Sequence, residues 1–255
     1  MGKTTLAAAL SRTLARRGRK VVAVDADPNP NLGIALGVGV EATERLDSVV
    51  NFLLRQEGPH GHEVPHGHGD GRGGGVASPP RMEAEELLDR IGVFGPDGVR
   101  LIQTGRIERP SQGCLCCGSH RATRRLYEEL APEGRVIVAD LEAGVLDLCW
   151  TDPKPMDTVL IVATSDRSSL EVARRAVQVT RDLDVHRIII VANRIDGDDQ
   201  VDTIREFLPG CEVIEIPEDS AVTAADRLGV SLLELDANCP ALRAVRTIAT
   251  RLLDQ

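Results

Sequence analysis

Five short aliphatic runs, four or five residues long and separated by helical or polar stretches, constrain this chain most: Val21–Val24, Val136–Ala139, Val159–Ala163, Ile188–Ala192 and Val213–Ile216. Runs of this kind, broken by a polar residue only at Glu215, are strands covered on both faces. Helical patterns fall between them. Leu170, Ala173, Ala176, Val177, Thr180 and Leu183 recur at helical spacing on one face, and Val201, Ile204, Arg205 and Leu208 mark a shorter helix. Leu6 to Arg17 reads as a further helix, directly ahead of the strand that ends in Asp25. Strands alternating with helices require right-handed crossovers. The predicted fold class is therefore α/β, a mostly parallel sheet with helices on both faces. Such sheets bind ligands beyond the C-terminal ends of their strands.

Composition fits one domain spanning 1–255. The 255 residues are 42% hydrophobic but only 2% aromatic, so the core is aliphatic. One segment, about 57–80, breaks the pattern, since it is rich in Gly, His and Pro and nearly devoid of apolar residues. It cannot build a core and reads as a flexible insertion. A net charge of −9 argues against a general nucleic-acid binder, whose footprint is basic. No run of 18 apolar residues suggests a membrane span, and the N-terminus lacks a signal pattern. The expected location is the cytoplasm, where the six cysteines are thiols or metal ligands rather than disulfides.

Gly2-Lys3-Thr4 matches the last three positions of the phosphate-binding motif G-x-x-x-x-G-K-[ST]. In that motif, backbone N–H groups cradle phosphates, the lysine reaches them and the hydroxyl holds Mg²⁺. The earlier glycine and the feeding strand would precede Met1, so the first strand and the first half of the P-loop are expected to be missing. Lys3, Thr4 and Thr5 open a helix whose N-terminus favours an anion. Asp25 and Asp27 follow the next strand, and Asp140 closes the strand after Val136. A strand ending in Asp beside a P-loop suggests the carboxylate that orients Mg²⁺. Asn193 ends another strand with an amide able to read a base edge. A single Asp after a strand also serves as a helix cap or turn; the group together is what points to a nucleotide.

Two other clusters suggest metal. Cys114, Cys116, Cys117 and His120 lie within seven positions, and Cys114-x-Cys116 from each of two subunits can close a tetrahedral site for a soft ion. The alternative is reduced, partly buried thiols. His60, His62, His66 and His68 are four of the chain's six histidines, within nine positions. Flexible imidazoles suit Ni²⁺, Cu²⁺ or Zn²⁺; the alternative is a solvated linker.

Taken together, these stretches resemble the deviant P-loop ATPases, the group of the nitrogenase iron protein and the cell-division site-selection ATPase. The nearest pattern is that of the ATPases that mature nickel carbon monoxide dehydrogenase. The resemblance rests on Gly2–Thr5, Val24–Leu32, Gly113–Cys116, Val138–Gly144, Ser168–Arg175, Asn193-Arg194 and Ile216–Asp219, in order along nearly the whole chain. It implies a homodimer that sandwiches ATP and Mg²⁺. Gly2, Lys3 and Thr5 would contact phosphates and Thr4 would bind Mg²⁺. Asp27 would position the attacking water, and Asp140 would support Mg²⁺ through water. Asn193 would read adenine, with Pro217 and Asp219 nearby. Cys114 and Cys116 would pair with their symmetry mates around nickel or zinc, for delivery to a client metalloenzyme such as carbon monoxide dehydrogenase. No nucleic-acid or membrane partner is implied. The family's signature lysine lies in the absent half of the loop, and Cys117 and the histidine tract are additions to the pattern.

Two rival readings follow from the same sequence. A spatial or partitioning ATPase would use an amphipathic tail, and the C-terminal segment carries Leu242, Val245, Ile248, Ala249 and Leu252 on one face beside Arg243, Arg246 and Arg251. Capping the sheet is the simpler role for that helix. A non-catalytic metal-binding module follows if the P-loop lacks its first glycine, and ATP hydrolysis is expected of the form with the full loop.

Overall fold

The structure is a computed structural model and describes residues 2–49, 52, 84–105, 127, 130, 134–142, 144 and 156–254. The histidine-rich insertion and the Cys114–His120 cluster lie outside them. The described strands are β1 (Val21–Asp25), β2 (Val93–Phe94), β3 (Arg100–Gln103), β4 (Val136–Asp140), β5 (Thr158–Ala163), β6 (Arg187–Ile195) and β7 (Glu212–Pro217). The helices are α1 (Lys3–Arg16), α2 (Leu32–Leu36), α3 (Val40–Glu44), α4 (Ala84–Ile91), α5 (Arg167–Asp182), α6 (Asp198–Phe207), α7 (Ser220–Leu228), α8 (Leu232–Leu235) and α9 (Pro240–Leu253). All five predicted strands are present, and every strand pairing is parallel except β2 with β3. Hydrogen bonding divides the strands into β2-β3-β1-β4 and β5-β6-β7.

Helices cover both faces. On one face, Val21 and Ala23 of β1, Leu101 of β3, Val191 of β6 and Ile216 of β7 share a single core with α1, α2, α8 and α9. On the other face there are two cores. Val22, Val24 and Ile102 pack with Leu87, Leu88 and Ile91 of α4. Ile161, Ala163, Ile190 and Ala192 pack with the predicted stripes of α5 and α6. Leu170, Ala173, Ala176, Val177 and Thr180 of α5 are buried. So are Val201 and Ile204 of α6, each aliphatic side chain being worth about 1.5–3 kcal/mol.

The C-terminal helix caps the sheet. Leu242, Val245, Ile248 and Ala249 of α9 are buried, in the same core as α1 and Ile216. No helix among the described residues is long and apolar enough to cross a membrane.

One charged side chain organises the far end of α1. Arg12 is 3% exposed. Its Nε donates to Asp97 Oδ2 at 2.6 Å, and its Nη1 donates to Glu234 Oε1 at 2.9 Å and the Leu36 carbonyl at 3.1 Å. A buried guanidinium is tolerable only when paired in this way. Arg16 adds a second cation 3.0 Å from Asp97. Burial pushes the Asp97 carboxyl up, but the two guanidiniums outweigh it and hold the group below its usual range.

Candidate nucleotide site

The C-terminal edge of the sheet collects the polar residues. β1 and β4 run in parallel with Asp25 directly opposite Asp140, so two carboxylates leave the sheet side by side. The Ala26 N–H donates to the Asp140 carbonyl at 3.0 Å and fixes that end of the pairing. Both aspartates are nearly inaccessible, at 2% and 3%.

Asp25 is the more constrained of the two. Its Oδ2 accepts the Leu32 N–H at 2.9 Å, and its Oδ1 accepts the Asp27 N–H at 3.3 Å. Burial pushes its pKa up to about 7; the Leu32 N–H opposes this, and the charge of Asp140 adds to it. The carboxyl thereby pins the loop between β1 and α2, which carries Asp27. Asp27 itself is half-buried and accepts the Asn29 N–H at 2.8 Å, an Asx turn that aims the loop.

The first turn of α1 faces these groups. The Thr4 hydroxyl hydrogen-bonds the Asp140 carboxylate, Lys3 lies close enough to act on its charge, and the charge of Asp27 acts on it in the opposite sense to Lys3. Burial is the largest influence and raises the Asp140 pKa; Thr4 and Lys3 oppose it. α1 has no acidic side chain in its first turn, so its positive end is not neutralised from within. Gly2 caps it with φ 107°, a left-handed conformation that favours glycine. Gly2 also lies against β6, since a Cβ there would fall 2.5 Å from Asn193 Nδ2. Asn193 sits where the β6–β7 register shifts, with Arg194 at φ 60°. The irregularity falls at the ligand edge, where bulges re-aim side chains.

Pro217 ends β7 on the same edge. Asp219 caps α7 by accepting the Ala221 N–H at 3.0 Å, and its other oxygen accepts the Ala241 N–H at 3.0 Å. It therefore joins the starts of α7 and α9. Burial pushes its carboxyl up, but these N–H groups and the Cys239 thiol hold it below its usual range.

The structure thus brings together Gly2, Lys3, Thr4, Asp27, Asp140 and Asn193, with Thr5 in the same turn of α1. Cys114, Cys116, Cys117, His120, His60, His62, His66 and His68 are outside the described residues. Sequence reasoning gave Asp25 no role of its own. Its signal was position, as the first carboxylate after a fully apolar strand. Among the described residues no three His, Cys, Asp or Glu side chains form a metal cage. One carboxylate and one hydroxyl side by side instead fit Mg²⁺, which keeps waters and takes its other oxygens from phosphates.

Comparison with known proteins agrees with this geometry. Residues 1–232 match the family described as the CobQ/CobB/MinD/ParA nucleotide binding domain. The chain is 28% identical over 236 residues to an ATP-binding protein of Methanocaldococcus jannaschii, covering 90% of this chain and 86% of that one. It is also 28% identical over 242 residues to the carbon monoxide dehydrogenase accessory protein CooC of Rhodospirillum rubrum, covering 94% and 88%. In fold it is similar to the septum site-determining protein MinD of Pyrococcus horikoshii, a structure in complex with Mg-ADP. There the TM-score is 0.71 and the identity 17%, with 99% of this chain and 90% of that one covered. The chain belongs to the CobQ/CobB/MinD/ParA nucleotide-binding domain family of P-loop ATPases.

Proposed function

We propose that this protein is a cytoplasmic, homodimeric ATPase that uses nucleotide binding and hydrolysis to deliver nickel, or a similar soft metal, to a client metalloenzyme such as carbon monoxide dehydrogenase. The observation that carries the ATPase half is the convergence of Lys3, Thr4 and Asp27 on the buried Asp140. The metal half is supported by the Cys114-x-Cys116 pair and by the similarity to CooC over 94% of the chain.

In this reading each residue has a role. Lys3 and the N–H groups of the first turn of α1 bind phosphate oxygens. Thr4 and Asp140 hold Mg²⁺ and its waters, and Mg²⁺ when bound neutralises the β- and γ-phosphate charge. Asp27, on a loop pinned by Asp25, orients the attacking water. Asn193, beside Gly2, reads the adenine edge, with Pro217 and Asp219 forming the neighbouring wall. Cys114 and Cys116 of two subunits hold the cargo ion, and closure of the dimer around ATP links nucleotide state to its release.

A partitioning role that relies on the tail is disfavoured, because the apolar face of α9 is already buried. The decisive experiment is nickel transfer. Nickel-loaded protein is mixed with nickel-free carbon monoxide dehydrogenase, with ATP, with ADP and with a non-hydrolysable analogue. Faster appearance of dehydrogenase activity with ATP supports the proposal. Equal rates in all three mixtures refute the coupling.

A further inference from the structure

We infer that the cleft between the C-terminal end of α1, α8 and the first half of α9 binds a small organic polycarboxylate, with two or three carboxylates on a short aliphatic skeleton. Thr13 and Arg16 of α1, Arg17 just after it, Leu233 of α8, and Leu242 and Arg246 of α9 line a space of about 180 Å³.

The cations of the cleft are short of anions. The chain has 39 acidic residues against 30 basic ones, so a guanidinium readily finds a carboxylate, as Arg12, Arg16, Arg174, Arg187 and Arg205 do. Among the described residues, Arg17 and Arg246 have no carboxylate partner. Arg17 Nη2 donates to the Arg246 carbonyl at 2.9 Å, and Arg246 Nη2 donates to the Ala237 carbonyl. A guanidinium has five N–H donors, so most of the donors on each remain for a ligand. The first of these bonds also ties the Arg17 guanidinium to the turn of α9 that carries Arg246. Asp97 is the one described carboxylate joined to any of the three arginines, and Arg12 shares it with Arg16. Three cations around one cleft repel each other until an anion enters.

The wall of the cleft holds a further polar group. Thr13 is 8% exposed, yet its hydroxyl makes no hydrogen bond among the described residues. Other helix hydroxyls settle on the carbonyl one turn back, Ser11 on Ala7 at 2.7 Å, Thr180 on Ala176 at 2.7 Å and Thr250 on Arg246 at 2.9 Å. Thr13 does not, which leaves a donor and an acceptor beside the arginines.

The remaining lining selects the class of anion. Leu242 and Leu233 are buried members of the core that α1 and α9 share. A bare inorganic ion would leave this apolar surface wet, whereas an aliphatic skeleton covers it. The space equals that of about six waters at ~30 Å³ each, too small for a nucleotide. Carboxylates match the planar fork of a guanidinium with two parallel hydrogen bonds. Cations at the end of α1 also offset its dipole, which gives Arg16 and Arg17 a structural use. It accounts for neither Arg246, which stands midway along α9, nor the Thr13 hydroxyl. Arg17 lies roughly 20 Å along α1 from Lys3 at 1.5 Å per residue, so this cleft is separate from the nucleotide site.

The test is calorimetric titration of the protein with propane-1,2,3-tricarboxylate at constant ionic strength, without nucleotide. Binding should saturate at one molecule per chain. Arg17→Gln and Arg246→Gln should each weaken it at least tenfold, the loss of one two-bonded charged pair. Arg17→Lys keeps the charge without the fork and should also weaken it, which serves where the glutamine variant is unfolded by its melting curve. Thr13→Val should weaken it several-fold. Lys3→Gln should leave it unchanged, and sulfate should bind at least tenfold more weakly than the tricarboxylate. Absence of saturation overturns the proposal, as does unchanged affinity in the folded arginine variants. Loss of binding in Lys3→Gln overturns it too, because the anion then occupies the nucleotide site. Equal affinity for sulfate overturns it by reducing the cleft to general charge attraction.

Discussion

Asp25 should make the protein less stable as pH rises through neutrality. Its folded pKa is about 7 against a reference of 3.8, so between those values the folded state holds a proton that the unfolded chain has released. Stability falls with pH wherever the folded state binds more protons, and the shift corresponds to about 4 kcal/mol lost between pH 3.8 and pH 7. About 2 kcal/mol of this loss falls between pH 5.5 and 8, a range that begins above the sequence pI of about 5.2. The comparison is the wild type against Asp25→Asn. Asparagine keeps one acceptor where the carboxyl had two, for the N–H groups of Leu32 and Asp27, so the variant starts with a pH-independent penalty of about 1–3 kcal/mol. What it lacks is the titration. Urea unfolding at several pH values should show the wild type losing about 2 kcal/mol more than the variant from pH 5.5 to 8. Asp140, whose pKa is also raised by burial, adds a fall of the same sign to both proteins, and because its charge contributes to the Asp25 shift, the difference reports the titration that Asp25 brings to the coupled pair. Parallel curves for the two proteins would falsify the argument that burial keeps the Asp25 carboxyl protonated near neutral pH.

Further outcomes test other parts of the structure. In protein with measurable ATP turnover, Asp27→Asn should retain ATP binding while turnover falls by roughly 10²–10⁴, measured by phosphate release; an unchanged rate removes Asp27 from the water-positioning role. Asp219→Ala should cost about 1–3 kcal/mol in urea unfolding, because it uncaps α7 and leaves the Ala241 N–H without its carboxylate partner; a loss below about 0.5 kcal/mol would show that both helices start unaided. Replacing Cys114 and Cys116 together by Ser should abolish metal-linked dimerisation, read as sedimentation of one ion per two chains, and survival of that stoichiometry would move the site elsewhere. Deleting His60 to His68 should leave the melting temperature nearly unchanged and lower the number of weakly held Ni²⁺ ions in equilibrium dialysis; a large drop in melting temperature would mean that the segment packs on the domain.

The parts of the fold written in continuous aliphatic sequence were legible. The five aliphatic runs became β1 and β4 to β7, though β4 is only partly covered, and the stripes of α5 and α9 faced the core, as did Val201 and Ile204 of α6, whereas Arg205 of that predicted stripe is exposed. β3 was not legible, because only Leu101 and Ile102 stand between Arg100 and Gln103. Two apolar residues are no more a strand than a helix until β1 supplies a partner. β2 is shorter still and exists as the antiparallel edge of β3. In the site, Lys3, Thr4 and Asp140 could be read from motif and strand ends. The state of Asp25 could not, since it depends on a loop folding back to present the Leu32 N–H and on register placing Asp140 opposite. The approach of Gly2 to Asn193, about three quarters of the chain apart in sequence, was equally hidden.

The buried Arg12 has a mechanical consequence. It lies nine residues beyond Lys3 on the same helix, roughly 13 Å along its axis at 1.5 Å per residue. Its partners come from the turn before β3, the end of α2 and α8. Pulling α1 away from them would strand a guanidinium in the interior, a penalty of about 3–5 kcal/mol. That penalty is a large share of what a domain of this kind has in hand. α1 is therefore clamped at its far end, and under the proposed function a pull on Lys3 and Thr4 from bound phosphate would be passed down a stiff rod to three segments at once. Such a stroke would reach the end of α1 away from Lys3 and Thr4, on the same face of the sheet.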